Sequence, residues 1–513
     1  MSAKPGPLRL EALTAEVRRP HYDRSRLRSG IVHLGAGAFA RAHLGLATEL
    51  AIEAGGDAAL AWGITGVSLR DPATRDALAP QQGLYTLVER DADAAGAPRS
   101  TLRVIGAWRE FLLAPEDPGA VLERIAHADA RIVSLTVTEK GYLADRERRL
   151  LFEHPDIAHD LVHAAAPRSA VGFIVHGLAL RRAGGMRGVT LMSLDNLSGN
   201  GALLRELVLA FAMRIDPTLA HWIDSHCAFP GSMVDRIVPR TTDADRAEVA
   251  ARLHVHDAWP VIAEPYFEWA LEDRFVAGRP DWACAGVRLV ADASDVAAWE
   301  KLKLRMVNGA HSSLAYLSVV AGWPTVDVAL RQPALRAHLE ALLCDEVEPT
   351  LAGPTALPGL DLASYRAELL ARFANPALAH RTAQIAMDGS QKIPQRLLAS
   401  VRDRLAAGAP IAHLALALAG WLHFLRGRDE AGRDYALDDP LAPALQALHR
   451  EVEALPDAQA RAEHFSLFAP VFGDLAGEPR LVAALTPALQ SLREQGVAAT
   501  LAAFASHSTG LVP

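Results

Sequence analysis

Four short runs of apolar, largely β-branched residues stand out in the first part of the chain, each closing on glycine or a polar cluster. They are "GIVHLGAG" (30–37), "AWGITGVSLRD" (61–71), "ARIVSLTVTEKGY" (130–142) and "GVTLMSLDN" (188–196). Segments with apolar residues at helical spacing, such as "ARAHLGLATELAIEA" (40–54), lie between them. Strands and helices alternating in this way predict βαβ crossovers and a parallel sheet. Ligands of such sheets bind beyond the carboxyl ends of the strands, so the polar endings are where chemistry is expected. From about residue 285 the pattern changes to long Ala/Leu-rich helical segments at 296–321, 334–344, 362–373, 395–406 and 441–454. The expectation is an α/β domain with a parallel-sheet core over 1–285, followed by a mainly α-helical domain over 286–513. The apolar run "IAHLALALAGWLHFL" (411–425) is short and broken by His413 and His423, which predicts a buried helix instead of a membrane span. The charged, turn-rich "RGRDEAGRDYALDDP" (426–440) predicts an exposed loop or hairpin.

Composition narrows the function classes. At 513 residues, half of them hydrophobic, the chain is a multi-domain globular protein and not a disordered or fibrous one. A net charge of −8 with scattered basic residues gives no nucleic-acid or membrane surface. Three widely spaced cysteines, Cys227, Cys284 and Cys344, fit neither a disulfide framework nor a zinc site. With no apolar leader at the amino terminus, a reducing, cytoplasmic setting and no metal cofactor are expected.

Two stretches carry candidate chemistry. Gly35, Gly37 and Ala40 form G-x-G-x-x-A directly after a predicted strand, so Gly35, Ala36, Gly37, Ala38 and Phe39 are candidates to cradle the pyrophosphate of a dinucleotide at a helix amino terminus. A plain strand-turn-helix corner is the alternative. Asp71 is the acidic candidate for the ribose hydroxyls, and NAD(H) is then the cofactor. Arg70 beside it offers a partner for a 2′-phosphate, which keeps NADP(H) open; both residues could equally belong to a solvated loop. In "WEKLKLRMVNGAHSSLAYLSVVAG" (299–322), Glu300, Lys303, Asn308 and His311 fall within an arc of roughly 140° at 100° per residue. They can line one pocket, or form a solvated stripe. Glycine after Asn308 costs a helix roughly 1 kcal/mol, which points to a reason beyond packing. Lysine among apolar neighbours can serve as a general acid/base for alcohol and carbonyl interconversion, with Asn308 and His311 donating to the alkoxide.

At this point the chain resembles the polyol-specific long-chain dehydrogenase/reductase (mannitol dehydrogenase) family. The resemblance rests on "IVHLGAGAFARAH" (31–43), "TVTEKGY" (136–142), "MSLDNLSGNG" (192–201), "FPGSMVDRIVP" (229–239), "KLRMVNGAHSSLAYL" (303–317) and "MDGSQKIPQR" (387–396). It implies a Rossmann-type amino-terminal domain and a helical carboxyl-terminal domain with the active site between them. It also implies that Lys303 of K-x4-N-x2-H is the general acid/base, that Asn196 and Asn308 form the oxyanion hole, and that His311 and Asp235 contact substrate hydroxyls. Glu139 and Glu300 would gate the proton; the bland alternative for Glu139 and Asp235 is helix capping, or pairing with Lys140 or Arg236. Ala40 departs from the histidine common in relatives. Within the family the chain is most similar to fructuronate reductases, which implies reduction of D-fructuronate to D-mannonate with NADH. Arg381, Lys392 and Arg396 are then candidates for the substrate carboxylate, the alternative being a basic helix edge that pairs with nearby acids. Mannitol 2-dehydrogenase, acting on fructose and mannitol, tagaturonate reductase, and a non-catalytic nucleotide-binding sensor are the alternatives. Periodicity does not decide the oligomeric state.

Overall fold

A computed structural model describes residues 6–14, 17–92, 97–145, 147–353, 357 and 359–508. The chain divides into two compact units, one running to Asp91 and continuing over Arg99–Ala297, the other comprising Ala92–Pro98 and Ala298–Pro513.

The strands of the first part are β1 (Ser29–Leu34), β2 (Gly63–Ser68), β3 (Tyr85–Ala92), β4 (Pro98–Ile105), β5 (Trp108–Leu113), β6 (Ile132–Leu135), β7 (Thr190–Ser193), β8 (Ser232–Asp235), β9 (Val261–Ala263), β10 (Glu268–Glu272) and β11 (Arg288–Val290). Five of them make a parallel sheet in the order β5-β2-β1-β6-β7. Every residue of β1, β2, β6 and β7 is buried. Burial on both faces is why these four runs read as continuously apolar. Val32, Leu34, Val133, Leu135 and Leu191 pack with Val121, Ile125, Phe173 and Ile174 on one face, while Ile31, Ile132 and Met192 pack with Ala47, Ala51 and Ile52 on the other. The α/β expectation therefore holds.

The first unit also contains more than alternating strands and helices. β8, β10 and β11 form a three-stranded sheet, antiparallel between β8 and β10, and β4, β3 and β9 form another. β5 escapes the hydrophobic pattern because it is an edge strand with only two of its six residues, Trp108 and Phe111, buried.

In the second unit the helices Gly309–Ala321 and Ala412–Phe424 are buried along almost their whole length, and the latter packs between the former and Pro479–Ser508. His413 is absorbed by His338, whose Nδ1 it meets at 3.0 Å; His338 Nε2 in turn meets Ser313 Oγ at 2.9 Å. Burial pushes His423 down to about 3. No helix among the described residues is long and apolar enough to cross a membrane. The segment 426–440 folds back on itself through a bridge between Arg428 and Asp434.

Candidate active site

The order β2-β1-β6 places neighbours of β1 on both sides, reached by connections of opposite direction, so the crevice of the sheet opens at the end of β1. There Gly35 turns the chain at φ +93, and a Cβ on it would stand 2.0 Å from the Thr136 carbonyl oxygen. Only glycine meets both conditions. The Gly35 N–H donates to the Val67 carbonyl (2.8 Å) and the Gly37 N–H to the Gly35 carbonyl (2.7 Å). A Cβ on Gly37 would meet nothing nearer than 3.9 Å, so the space in front of the helix 38–59 is open. The first N–H groups of that helix, on Ala38, Phe39 and Ala40, have no carbonyl one turn back. Ala36 is buried, and Ala40 is wholly buried beside Ile31 and Ile132, where a small residue is required. Bare Cα, unpaired donors and close helix packing together fit a dinucleotide pyrophosphate.

The same helix contains a π turn at Arg41–Gly45. Its loosened carbonyls are satisfied from outside: Tyr85 Oη donates to the Arg41 carbonyl (2.7 Å) and Arg236 Nη1 to the Ala42 carbonyl (2.6 Å). Gly45 makes room for the Tyr85 hydroxyl, which a Cβ there would meet at 2.4 Å. Phe39 stacks on His43, ring centroids 5.0 Å apart. Asp71 lies past the end of β2, exposed, with Oδ1 accepting the Ala73 N–H (2.7 Å). Arg70 is exposed too and sits 3.7 Å from Asp156.

The loops after β6, β7 and β8 are laced together by residues that the motifs contain but that sequence reading passes over. Asp195, the neighbour of Asn196, accepts the N–H groups of Val137 (3.0 Å) and Thr138 (2.9 Å) and the hydroxyl of Tyr142 (2.9 Å). It thereby holds Thr138 at φ +63, a conformation that β-branched residues avoid. Burial raises the Asp195 pKa against the lowering by those three donors. Asn200 Nδ2 donates to the carbonyls of Asp195 (3.0 Å) and Ser232 (2.8 Å), and its Oδ1 accepts the Ser232 N–H (3.1 Å). Asn196 and Glu139 are presented on these braced loops, both exposed. Asp235 ends β8, buried, in register opposite Glu268. Arg236 is turned away from Asp235, to the Glu264 and Ala42 carbonyls and the Glu89 carboxylate. A partner five or more residues away has no signature in a linear pattern, so the bracing roles of Asp195 and Asn200 carry no signal in the sequence.

In the second unit the helix bearing the polar face is interrupted by a π turn, Leu304–Asn308, ahead of Gly309–Ala321. A π turn rotates the chain by less than 100° per residue, so Asn308 and His311 are carried back toward the side of Lys303. Glu300, Lys303, Asn308 and His311 are each only 6 to 8 % exposed, so they are not a solvated stripe. Asn308 Nδ2 and His311 Nε2 are buried with no hydrogen-bond partner among the described residues. His311 stacks on Phe373 (centroids 3.9 Å) and lies edge-on to His380 (5.8 Å). Burial, followed by the charges of His380, Arg396, Arg372 and Lys303, holds its pKa well below the usual imidazole range. His311 is thus a neutral donor or acceptor in a cationic environment. Gly309 has a packing reason after all: a Cβ there would stand 2.9 Å from the Arg396 carbonyl.

The three basic candidates separate. Arg396 Nη1 donates to Ser312 Oγ (3.3 Å), beside His311. Lys392 is occupied with backbone, donating to the carbonyls of Met387 (2.5 Å) and Ile385 (3.3 Å). Arg381 is exposed just before the short helix Thr382–Ile385. Arg372 and His380 are neighbours of His311 that sequence reading did not single out; an arginine in the last turn of a helix reads as ordinary dipole compensation. Among the described residues no group of three or more His, Cys, Asp or Glu could hold a metal ion.

Residues 29–284 match the mannitol dehydrogenase Rossmann domain and residues 295–493 the mannitol dehydrogenase C-terminal domain. The chain is 43% identical over 494 residues to a D-mannonate oxidoreductase of Escherichia coli K12, covering 95% of this chain and 98% of the relative. It is 40% identical to a mannitol 2-dehydrogenase of Phaeosphaeria nodorum, covering 95% and 83%. Among solved structures, the mannitol 2-dehydrogenase of Pseudomonas fluorescens, in ternary complex with NAD and D-mannitol, aligns with a TM-score of 0.84 at 37% identity, over 98% of this chain and 99% of that one.

Proposed function

Because the chain belongs to the mannitol dehydrogenase family, whose members are NAD-dependent oxidoreductases of secondary alcohols in polyols and sugar acids, we propose that it is a cytoplasmic enzyme reducing D-fructuronate to D-mannonate with NADH, and running the reverse. The observation that carries the acidic substrate is the place of Arg396, whose Nη1 donates to Ser312 Oγ (3.3 Å), next to His311. A guanidinium there can pair with a substrate carboxylate, a contact an uncharged ketose cannot make. The 43% identity to a D-mannonate oxidoreductase supports the same choice.

Gly35, Ala36, Gly37, Ala38 and Phe39 would hold the phosphates of NADH and Asp71 its ribose, and the bound nicotinamide would supply the hydride. Lys303 donates the proton to the nascent hydroxyl oxygen, and takes it back in the oxidative direction. Asn196 and Asn308 hydrogen-bond to that oxygen as its charge develops; the unpartnered Asn308 Nδ2 is a donor ready for this role. His311 and Asp235 hold substrate hydroxyls, and Glu139 and Glu300 pass protons. Arg396, with Arg372 beside it, replaces Lys392 as the preferred carboxylate partner, because the Lys392 ammonium is already spent on backbone.

Loss of NADH absorbance is to be followed with fructuronate, tagaturonate and fructose, each repeated with NADPH. A kcat/KM for fructuronate with NADH at least tenfold above every other pair is expected. Fructose turned over as well as fructuronate would replace this reading with mannitol 2-dehydrogenase activity, and preference for NADPH would shift the coenzyme role to Arg70.

A further inference from the structure

His33, in the middle of the apolar strand that leads to the glycine turn, is fully buried yet carries two hydrogen-bonding nitrogens. Nδ1 lies 2.8 Å from Ser134 Oγ and Nε2 lies 3.0 Å from Thr136 Oγ1. Thr136 Oγ1 is in turn 2.7 Å from the Gly35 carbonyl oxygen. That carbonyl has no proton to give, so the threonine hydroxyl must be the donor there. Its single proton is then spent, and its remaining contact can only be as acceptor from His33 Nε2–H. The neutral ring leaves Nδ1 bare, to accept from the Ser134 hydroxyl. One arrangement of protons satisfies all three bonds, running from Ser134 through His33 and Thr136 to Gly35.

We propose that His33, acting through Thr136, is a positioning residue for the dinucleotide: the chain of hydrogen bonds fixes the Gly35 carbonyl, and with it the turn whose N–H groups receive the pyrophosphate. The Gly35 oxygen takes Thr136 Oγ1 and the Gly37 N–H as donors, and the His33 ring N–H lies near enough to add to them. Removing the first leaves a φ of +93 held by the Gly37 contact and by steric closeness to Thr136. A charged imidazole would break the scheme, since both nitrogens would donate and the Ser134 hydroxyl would lose its acceptor. Burial pushes the His33 pKa down to about 3, which keeps the ring neutral. Neither function of His33 needs contact with the cofactor or the sugar.

The test compares Thr136→Val, Thr136→Ser and His33→Phe with the unsubstituted enzyme, by quenching of protein fluorescence on titration with NADH, by thermal unfolding and by steady-state kinetics. Thr136→Val is expected to weaken NADH binding about tenfold, the scale of one lost hydrogen bond. Its kcat at saturating NADH and its KM for the sugar should stay within about threefold of the unsubstituted enzyme, and Thr136→Ser should restore affinity. Adding Thr136→Val to His33→Phe should cost no further affinity, because both cut one chain. In 15N-histidine spectra of the unsubstituted protein, His33 should be the Nε2–H tautomer, unchanged from pH 5 to pH 9. Unaltered NADH affinity in folded Thr136→Val overturns the proposal, as does a loss of kcat without loss of affinity, or an Nδ1–H tautomer. The inference rests on NADH being the cofactor; failure of the unsubstituted protein to bind NADH would sink that reading instead.

Discussion

Lys303 is buried on the helix that also carries Asn308 and His311, so a proton it exchanges passes to a bound substrate and not to bulk water, the placement a general acid/base needs. Lys303→Met keeps the length of the stem and removes the exchangeable proton. It should lower kcat by about 10²–10⁴-fold, with NADH affinity within about twofold, as read by stopped-flow turnover beside a binding titration. Turnover at the unsubstituted rate would remove the lysine from the proton path. The neighbours Asn308 and His311 complete the local logic. Each exposes to the buried site a nitrogen with no partner among the described residues, and an unmade hydrogen bond in a dry site is costly unless a ligand makes it.

Among the elements, the glycine turn separates two kinds of glycine. At Gly35 a Cβ would collide with the Thr136 carbonyl at 2.0 Å in a left-handed conformation, whereas at Gly37 it would project into open space. Gly35→Ala should therefore lower the thermal midpoint and abolish NADH binding together, while Gly37→Ala should fold normally and lose only NADH affinity. Equal thermal midpoints for the two variants would contradict this division. Much of this element was legible: a two-face-buried strand followed by G-x-G-x-x-A needs no distant information. The polar face around Lys303 was legible too, because four polar residues within one arc of an apolar helix are conspicuous. The braces were not. Asp195 reaches back 58 residues to Val137, and His33 reaches forward 103 to Thr136, and no periodicity encodes such pairs. The π turns were equally silent, since one extra residue in a turn changes neither composition nor capping. Gly309, which the sequence presents as a cost beyond packing, is the spacer for the Arg396 backbone.

For the whole molecule, buried titratable groups act on stability from opposite sides of neutrality. His33 and His423 are pushed down to about 3, and burial lowers His311 and His338 as well. The unfolded chain binds protons to these imidazoles below about pH 6.5 while the folded one does not, so their contribution is full above that value and lost on acidification. Glu49 and Glu346 are raised to about 7 by burial, so the folded state holds protons that the unfolded state has released above about pH 4.5. Their contribution is full below that value and is lost as pH rises through 7. With His380, His413 and His449 also lowered by burial and Asp195 also raised, seven imidazoles outweigh three carboxyls between pH 4.5 and 6.5, so the thermal midpoint should climb to a maximum near pH 6.5 and then decline slightly. Glu49→Gln mimics the protonated acid. It should match the unsubstituted protein at pH 5 and melt higher at pH 8; an unchanged difference between those two pH values would exclude Glu49 as a source of the decline.

The π turn at Arg41–Gly45 bears on how the molecule is assembled. It is held open by donors that lie 44 and 194 residues further along the chain, Tyr85 and Arg236. Closure of such long loops is slow relative to helix growth. A helix over 38–59 wound before these partners arrive would leave the Arg41 and Ala42 carbonyls without their donors, and a chain truncated before residue 236 would hold the glycine motif with one of the two missing.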